Sequence, residues 1–321
     1  MKKNFLSIDY NKEGRGVKKG ESTLFTFQNF FPLLKRKIWA LVSVNFLWVV
    51  TCFPLLFGFF ALSGRFDFPA SAPADPLYAI LSGVETFSGP SPFLSVLMGT
   101  AGIQLSMSYA GPVAKIFYAI TALAIFTFGP ANTGMAYMLR GYTKEEHVDM
   151  PSDFFRTIKK NFWQSILLGI LDLFIIAMLI FDEVFFITNS ADFLFSVFSF
   201  VCFFLFVIYM FARSYIYLML VTFKLSTFKI LKNGFIFAFL GIKRNLVGLL
   251  GVILVLAINI ILYLSPVMPL GGVMPFLITI ALTSFITTYA AWPNIKKIMI
   301  DPYYDTEEPD TTDDSIFTDR G

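Results

Sequence analysis

Long apolar runs alternate along this chain with short polar and basic stretches. Six runs reach about 20 residues, the length a helix rising 1.5 Å per residue needs to cross a hydrocarbon core of roughly 30 Å. They cover residues 38–62, 116–139, 162–181, 193–223, 246–265 and 273–292. The pattern predicts an all-α fold, a polytopic membrane helical bundle of about six transmembrane helices. The fourth run is long enough to tilt or protrude.

The segments that enter alternate runs share a second pattern. Before the first stand Phe30, Phe31 and then Lys35-Arg36-Lys37; before the third, Phe154, Phe155 and then Lys159-Lys160; before the fifth, Phe239 and then Lys243-Arg244. Each is an aromatic, a short spacer, a basic group and a span. Aromatic rings suit the headgroup zone and Lys or Arg stems snorkel to phosphates. The spans therefore group as three hairpins, each preceded by an interfacial amphipathic elbow. Any inner-face entry into a membrane helix has a similar composition, so a true structural repeat stands beside that plainer alternative.

Charge orients the bundle. Nine Lys and Arg precede the first run, five follow the second, five follow the fourth and three follow the sixth, together 22 of 25. The opposite side has only Arg65 and Lys115, and Arg213 lies within a run. Positive flanks stay in the cytoplasm, so both termini are expected there. The first run begins near residue 38 and is too long for the core of a cleaved leader, so it is expected to remain as an anchor. The domain plan is a basic cytoplasmic segment (1–29), a six-helix domain (30–300) with an extracytoplasmic loop (63–114), and an acidic tail (301–321). The tail cannot bury enough apolar surface to fold alone and is expected to be disordered. Short helices opened by prolines are expected at 75–81 and 92–98, either as a membrane-surface cap or as a lid or partner site.

Composition narrows the function classes. The chain is 56% hydrophobic and 15% charged, with 40 Phe, against about 25% charged in soluble domains. A net charge of +3 gives no basis for nucleic-acid binding. Cys52 and Cys202 both lie in apolar runs, and His147 is the only histidine. No disulfide framework, multi-His metal site or cofactor is implied. Metalloprotease, P-loop, dinucleotide and nucleophile-elbow motifs are missing from the sequence, so no catalytic role is assigned.

Four features are candidate sites. Asp172 and Arg213 lie in the third and fourth runs, each roughly 15–16 Å from the inner end of its helix at 1.5 Å per residue. Antiparallel neighbours would place them level, which predicts an intramembrane ion pair. It is either a lock on the hairpin or a proton or substrate site. Gly129, Pro130, Asn132 and Gly134 predict a break in the second span, either a packing kink or a transporter-like contact site. Glu145, Glu146, His147 and Asp153 mark a cytoplasmic partner surface, with Ser152 placed to cap the following helix. His147 by itself reads as a solvated loop residue.

The stretch Gly129-Pro130-Ala131-Asn132-Thr133-Gly134-Met135-Ala136-Tyr137-Met138-Leu139-Arg140, with Glu145-Glu146-His147, Ser152-Asp153-Phe154-Phe155 and Lys160-Asn161, resembles the YesL-like family, the family of unknown function numbered 624. Leu220-Val221-Thr222-Phe223-Lys224-Leu225-Ser226 and Leu231-Lys232-Asn233-Gly234 agree. With the first hairpin the resemblance covers most of residues 25–300. It implies a bacterial plasma-membrane protein, whose relatives are often encoded beside carbohydrate ABC importers and two-component regulators. It brings no settled activity and no catalytic residues. The loop at 63–114 and the acidic tail depart from the short family pattern. The expected function is a non-catalytic accessory or regulatory partner of a carbohydrate ABC import or sensing system. The alternative is a small secondary transporter using the broken second helix and the Asp172–Arg213 pair. The expected partners are the lipid bilayer and either an ABC importer permease or a membrane sensor kinase.

Overall fold

The computed structural model describes residues 25–304 apart from 74 and 267; the basic segment up to residue 24 and the acidic tail from residue 305 lie outside the described residues. Four helical segments are long and apolar enough to cross a membrane, and two bent helix pairs bring the total to six if each pair is one span. The chain is a polytopic helical bundle, as the apolar runs predict.

The first hairpin consists of bent pairs. Helix α1 (Phe27–Thr51) starts at Thr26, whose hydroxyl accepts from the Asn29 amide. It turns by 75° into α2 (Pro54–Leu62). Pro54 is the first residue of α2, where its missing N–H costs nothing and its fixed φ suits a helix start. The return limb is α5 (Pro112–Ala122) and α6 (Ala124–Thr143), bent by 45° at Leu123. The outer limbs meet closely: a Cβ on Gly58 of α2 would lie 2.9 Å from Thr121 Cγ2 of α5.

Between α2 and α5, β1 (Asp67–Pro73) and β2 (Gln104–Ala110) form an antiparallel ribbon, with Asp67 opposite Ala110 and Pro73 opposite Gln104. The ribbon carries two short helices, α3 (Leu77–Ser88) and α4 (Pro92–Ala101). These are the expected loop helices, longer than predicted, and the ribbon beneath them is an addition to the sequence-based plan.

Two of the three elbows are separate helices. Helix α7 (Ser152–Lys160) ends at Asn161 and leads into α8 (Phe162–Thr188); α10 (Thr227–Leu240) ends at Gly241 and leads into α11 (Ile242–Leu264). The first elbow is continuous with α1. Pro32 falls there in the second turn, and the aromatic and basic groups lie on one unbroken helix.

The second hairpin pairs α8 with α9 (Phe193–Thr222). The third pairs α11 with a final span, Met268–Ile300. That span is assembled from α12 (Met268–Met274), α13 (Ile280–Ile295) and π-helical turns at Pro275–Thr279 and Lys296–Ile300; α14 (Asp301–Tyr304) follows. Asn45 of α1 packs against the first π turn. Its Nδ2 donates to the Pro275 and Phe276 carbonyls at 3.0 and 2.7 Å, and its Oδ1 accepts from the Ala281 amide at 2.8 Å.

The packed core occupies one end of the bundle. In α8 the last buried residue is Asp172, and in α9 the first is Ile208. The remainder of this hairpin carries exposed Phe174, Phe181, Phe200 and Phe204, the surface a helix offers to lipid. Phe186 packs on Phe195 and Phe198, and Ser199 donates to Glu183 at 3.0 Å, so the two limbs hold each other beyond the core.

Candidate functional site

Asp172 reaches the core edge from α8, where three side chains of α9 meet it. Tyr209, Arg213 and Tyr217 are spaced by four residues, which stacks them on one helical face. Tyr209 OH donates to Asp172 Oδ1 at 2.8 Å and Tyr217 OH to Oδ2 at 2.8 Å. Arg213 Nε donates to both oxygens, at 3.0 and 2.8 Å. Asp172 is only 3% exposed. The guanidinium also lies 5.5 Å from the Phe128 ring centre and 5.3 Å from that of Tyr217. Each carboxylate oxygen thus has two donors. A buried ion pair balances its large desolvation cost only when its remaining hydrogen-bonding capacity is filled in this way. The sequence placed Asp172 and Arg213 level; it did not single out the two tyrosines, although the four-residue spacing from Arg213 was there to read.

Only Arg213 Nε is committed to the carboxylate, and the Nη groups make no hydrogen bond among the described residues. Arg213 lines a cavity of about 40 Å³ together with Asn132, Met135, Ser284, Thr287 and Thr288. The second, third and first hairpins all contribute to it through α9, α13 and α6. Asn132 Oδ1 accepts from Trp48 Nε1 at 3.0 Å, while its buried Nδ2 has no partner. One water needs about 10–15 Å³ of such volume and two to four polar partners. At about 40 Å³ and with polar side chains in its lining, the cavity has room for a small water cluster.

The candidate break residues lie elsewhere than the break. Helix α6 continues through Gly129, Pro130, Asn132 and Gly134, all buried, and the bend falls at Leu123. Close neighbours pack against this stretch, and the helix continues despite the hydrogen bond that Pro130 cannot make. A Cβ on Gly129 would collide with the Ser165 carbonyl of α8, and one on Gly134 would lie 2.7 Å from the Phe154 ring of α7. Thr133 Oγ1 donates to the Gly129 carbonyl at 2.9 Å. These glycines serve helix approach, not a gap in the helix.

The four candidates for a partner surface divide. Glu145 is bonded to Arg36 of α1 at 3.0 Å, and Glu146 pairs with Lys144. His147 has an 89% exposed side chain and contacts Asp149 at 2.8 Å. Asp153 is not part of that surface: it is buried, accepts from the Asp149 amide at 3.0 Å and pairs with Arg156 at 2.6 Å. Ser152 is the first residue of α7 and makes no capping bond. Asp153 takes over at that end because its longer reach meets the loop amide, and its charge suits a helix N-terminus.

A second buried network escaped the sequence. Tyr215 OH donates to Asn245 Oδ1 at 2.9 Å and accepts from Asn294 Nδ2 at 2.9 Å; Asn245 Nδ2 donates to the Ala238 carbonyl at 3.0 Å. It ties α9, α10, α11 and α13 together. Among the described residues, no three His, Cys, Asp or Glu side chains gather to hold a metal.

Residues 105–183 match the model of the family described as "Protein of unknown function, DUF624". The match supports the YesL-like resemblance. It takes in Gly129, Gly134, Asp153 and Asp172 but stops short of Arg213. No curated protein and no solved structure matches the chain.

Proposed function

We propose that this DUF624-family membrane protein is a non-catalytic accessory or regulatory partner of a carbohydrate ABC import or sensing system, seated in a bacterial plasma membrane with both termini in the cytoplasm. The observation that carries the non-catalytic part is the saturated Asp172 carboxylate, whose two oxygens receive bonds from Tyr209, Arg213 and Tyr217. A group held in that way is a poor proton carrier and a good lock. The importer or sensor partner rests on the gene company that the family resemblance implies, and the orientation rests on the distribution of Lys and Arg. The exposed turn around His147 is the surface offered to the partner. Purification of the full chain from its native membrane tests this: an importer permease or sensor kinase is expected to accompany it, and His147→Glu is expected to weaken the association. Recovery of the chain alone after mild crosslinking contradicts the proposal.

One observation favours the transporter alternative. Arg213 and Asn132, whose Nδ2 has no partner, both line one cavity to which all three hairpins contribute. That reading requires sugar flux in proteoliposomes that is lost in a folded Asp172→Asn variant. Its weak point is volume: about 40 Å³ is far below the roughly 300–1,000 Å³ of typical small-molecule pockets.

A further inference from the structure

An apolar recess lies away from the Asp172 site. It is a groove of about 530 Å³ with α1 and α11 as walls and α13 as floor. Gly248 and Gly251 let α11 lie against that floor: a Cβ on either would stand 3.1 Å from Ala290 Cβ or Ile286 Cγ2. The walls present Phe27, Phe31, Val247 and Leu254, all more than half exposed.

The groove is polar at one end only. Lys243 and Arg244 stand there. Arg244 Nη2 donates to the Phe25 carbonyl at 2.8 Å and Nε to the Ala290 carbonyl at 3.3 Å. Two carbonyls orient the guanidinium, and among the described residues no carboxylate forms an ion pair with either cation. From Lys243 to Val255 the groove follows α11 for about 18 Å at 1.5 Å per residue. That is slightly more than one leaflet of a hydrocarbon core about 30 Å thick.

We propose that this groove is a binding site for an anionic glycerophospholipid, with the phosphate at Lys243 and Arg244 and one acyl chain along the α1–α11 trough. Charge at one end followed by a leaflet-length apolar track is the pattern of such a lipid. Basic recesses between membrane helices select anionic headgroups. A partner helix in the same trough would need its own acid at the level of Lys243, so the lipid is the occupant that matches both ends.

Native mass spectrometry of the full-length protein in detergent, supplied with phosphatidylglycerol or phosphatidylcholine, tests the site. The expected result is one retained phosphatidylglycerol per chain, at least fivefold more than phosphatidylcholine. Lys243→Glu, at an exposed position, removes the preference. Val247→Trp fills the trough and removes the retained lipid; Leu254→Trp is the second filler should Val247→Trp lower the melting temperature. Equal retention of the two lipids overturns the proposal. So does a phosphatidylglycerol adduct that survives a folded groove-filling variant, or a groove-filling variant whose only effect is loss of a dimer.

Discussion

Gly129 of α6 and Gly169 of α8 meet backbone to backbone. A Cβ added to Gly129 would lie 2.8 Å from the Gly169 Cα, and one added to Gly169 would collide with Gly129. The contact sets α6 against α8, which carries Asp172 three residues beyond Gly169, and both glycines lie within the family-matched segment. Because main-chain atoms cannot yield as a side-chain tip does, Gly129→Ala and Gly169→Ala are each expected to cost about 1–3 kcal/mol through overpacking. Gly83 of α3 has nothing within 4 Å of an added Cβ. Gly83→Ala is expected to be neutral, or stabilising by up to about 1 kcal/mol. Thermal unfolding in one detergent ranks the three; a Gly129→Ala protein as stable as Gly83→Ala contradicts the contact.

Asn45 is fully buried and makes three bonds to the π-turn region of the last span. Asn45→Leu keeps the volume but takes the acceptor from the buried Ala281 amide and a donor from the Pro275 and Phe276 carbonyls. A buried unsatisfied group costs about 1–3 kcal/mol, so a loss of at least about 1 kcal/mol is expected. Hydrogen exchange at Ala281 reports it directly, and unchanged protection there rules the bridge out.

The sequence disclosed most where one helix or one hairpin held the whole signal. The apolar runs located every span, and depth counting aligned Asp172 with Arg213. Hydropathy is blind to direction, so the turns at Cys52 and Leu123 were invisible to it. Pro54 was nevertheless a usable sign for the first turn, as a proline at a helix start, while Pro130 drew attention to a stretch where the helix continues unbroken. The β ribbon was hidden by Pro69 and Pro73, which argue against a strand except at an edge, and both its strands are edges. Asn45 and Pro275 are 230 residues apart. No local pattern links them; only the fold does. Asp153 looked like a surface acid because composition cannot tell a solvated carboxylate from one folded back on its own loop.

Glu145 has φ of +59°, a left-handed conformation that side chains with a Cβ occupy at a cost of roughly 1–2 kcal/mol. Its pair with Arg36 is about one-third exposed on each side, a setting in which such pairs contribute about 0.2–1 kcal/mol. Glu145→Gly therefore exchanges two terms of similar size and is expected to leave stability within about 1 kcal/mol of the wild type. Glu145→Val loses both the pair and the tolerated backbone, and is expected to be clearly less stable. A melting series of the two variants gives the order, and equal melting points contradict the strain at Glu145.

Orientation is testable with single cysteines in a Cys52→Ser, Cys202→Ser background. Thr86→Cys on α3 is expected to react with a membrane-impermeant maleimide on intact cells. Lys159→Cys on α7 is expected to react only after permeabilisation. The reverse pattern contradicts the topology taken from the Lys and Arg distribution.

The account turns on Asp172 being a lock between α8 and α9, and a double-mutant cycle measures that most directly. Unfolding free energies of Asp172→Asn, Arg213→Gln and the double variant are compared with the wild type in one detergent. Each single change leaves a buried charged or polar partner unmatched, so a loss of about 3–5 kcal/mol is expected. The double variant is expected to lose well under the sum, with a coupling of at least about 1.5 kcal/mol. Additive losses would show that the two residues act independently, and the lock would have to be abandoned.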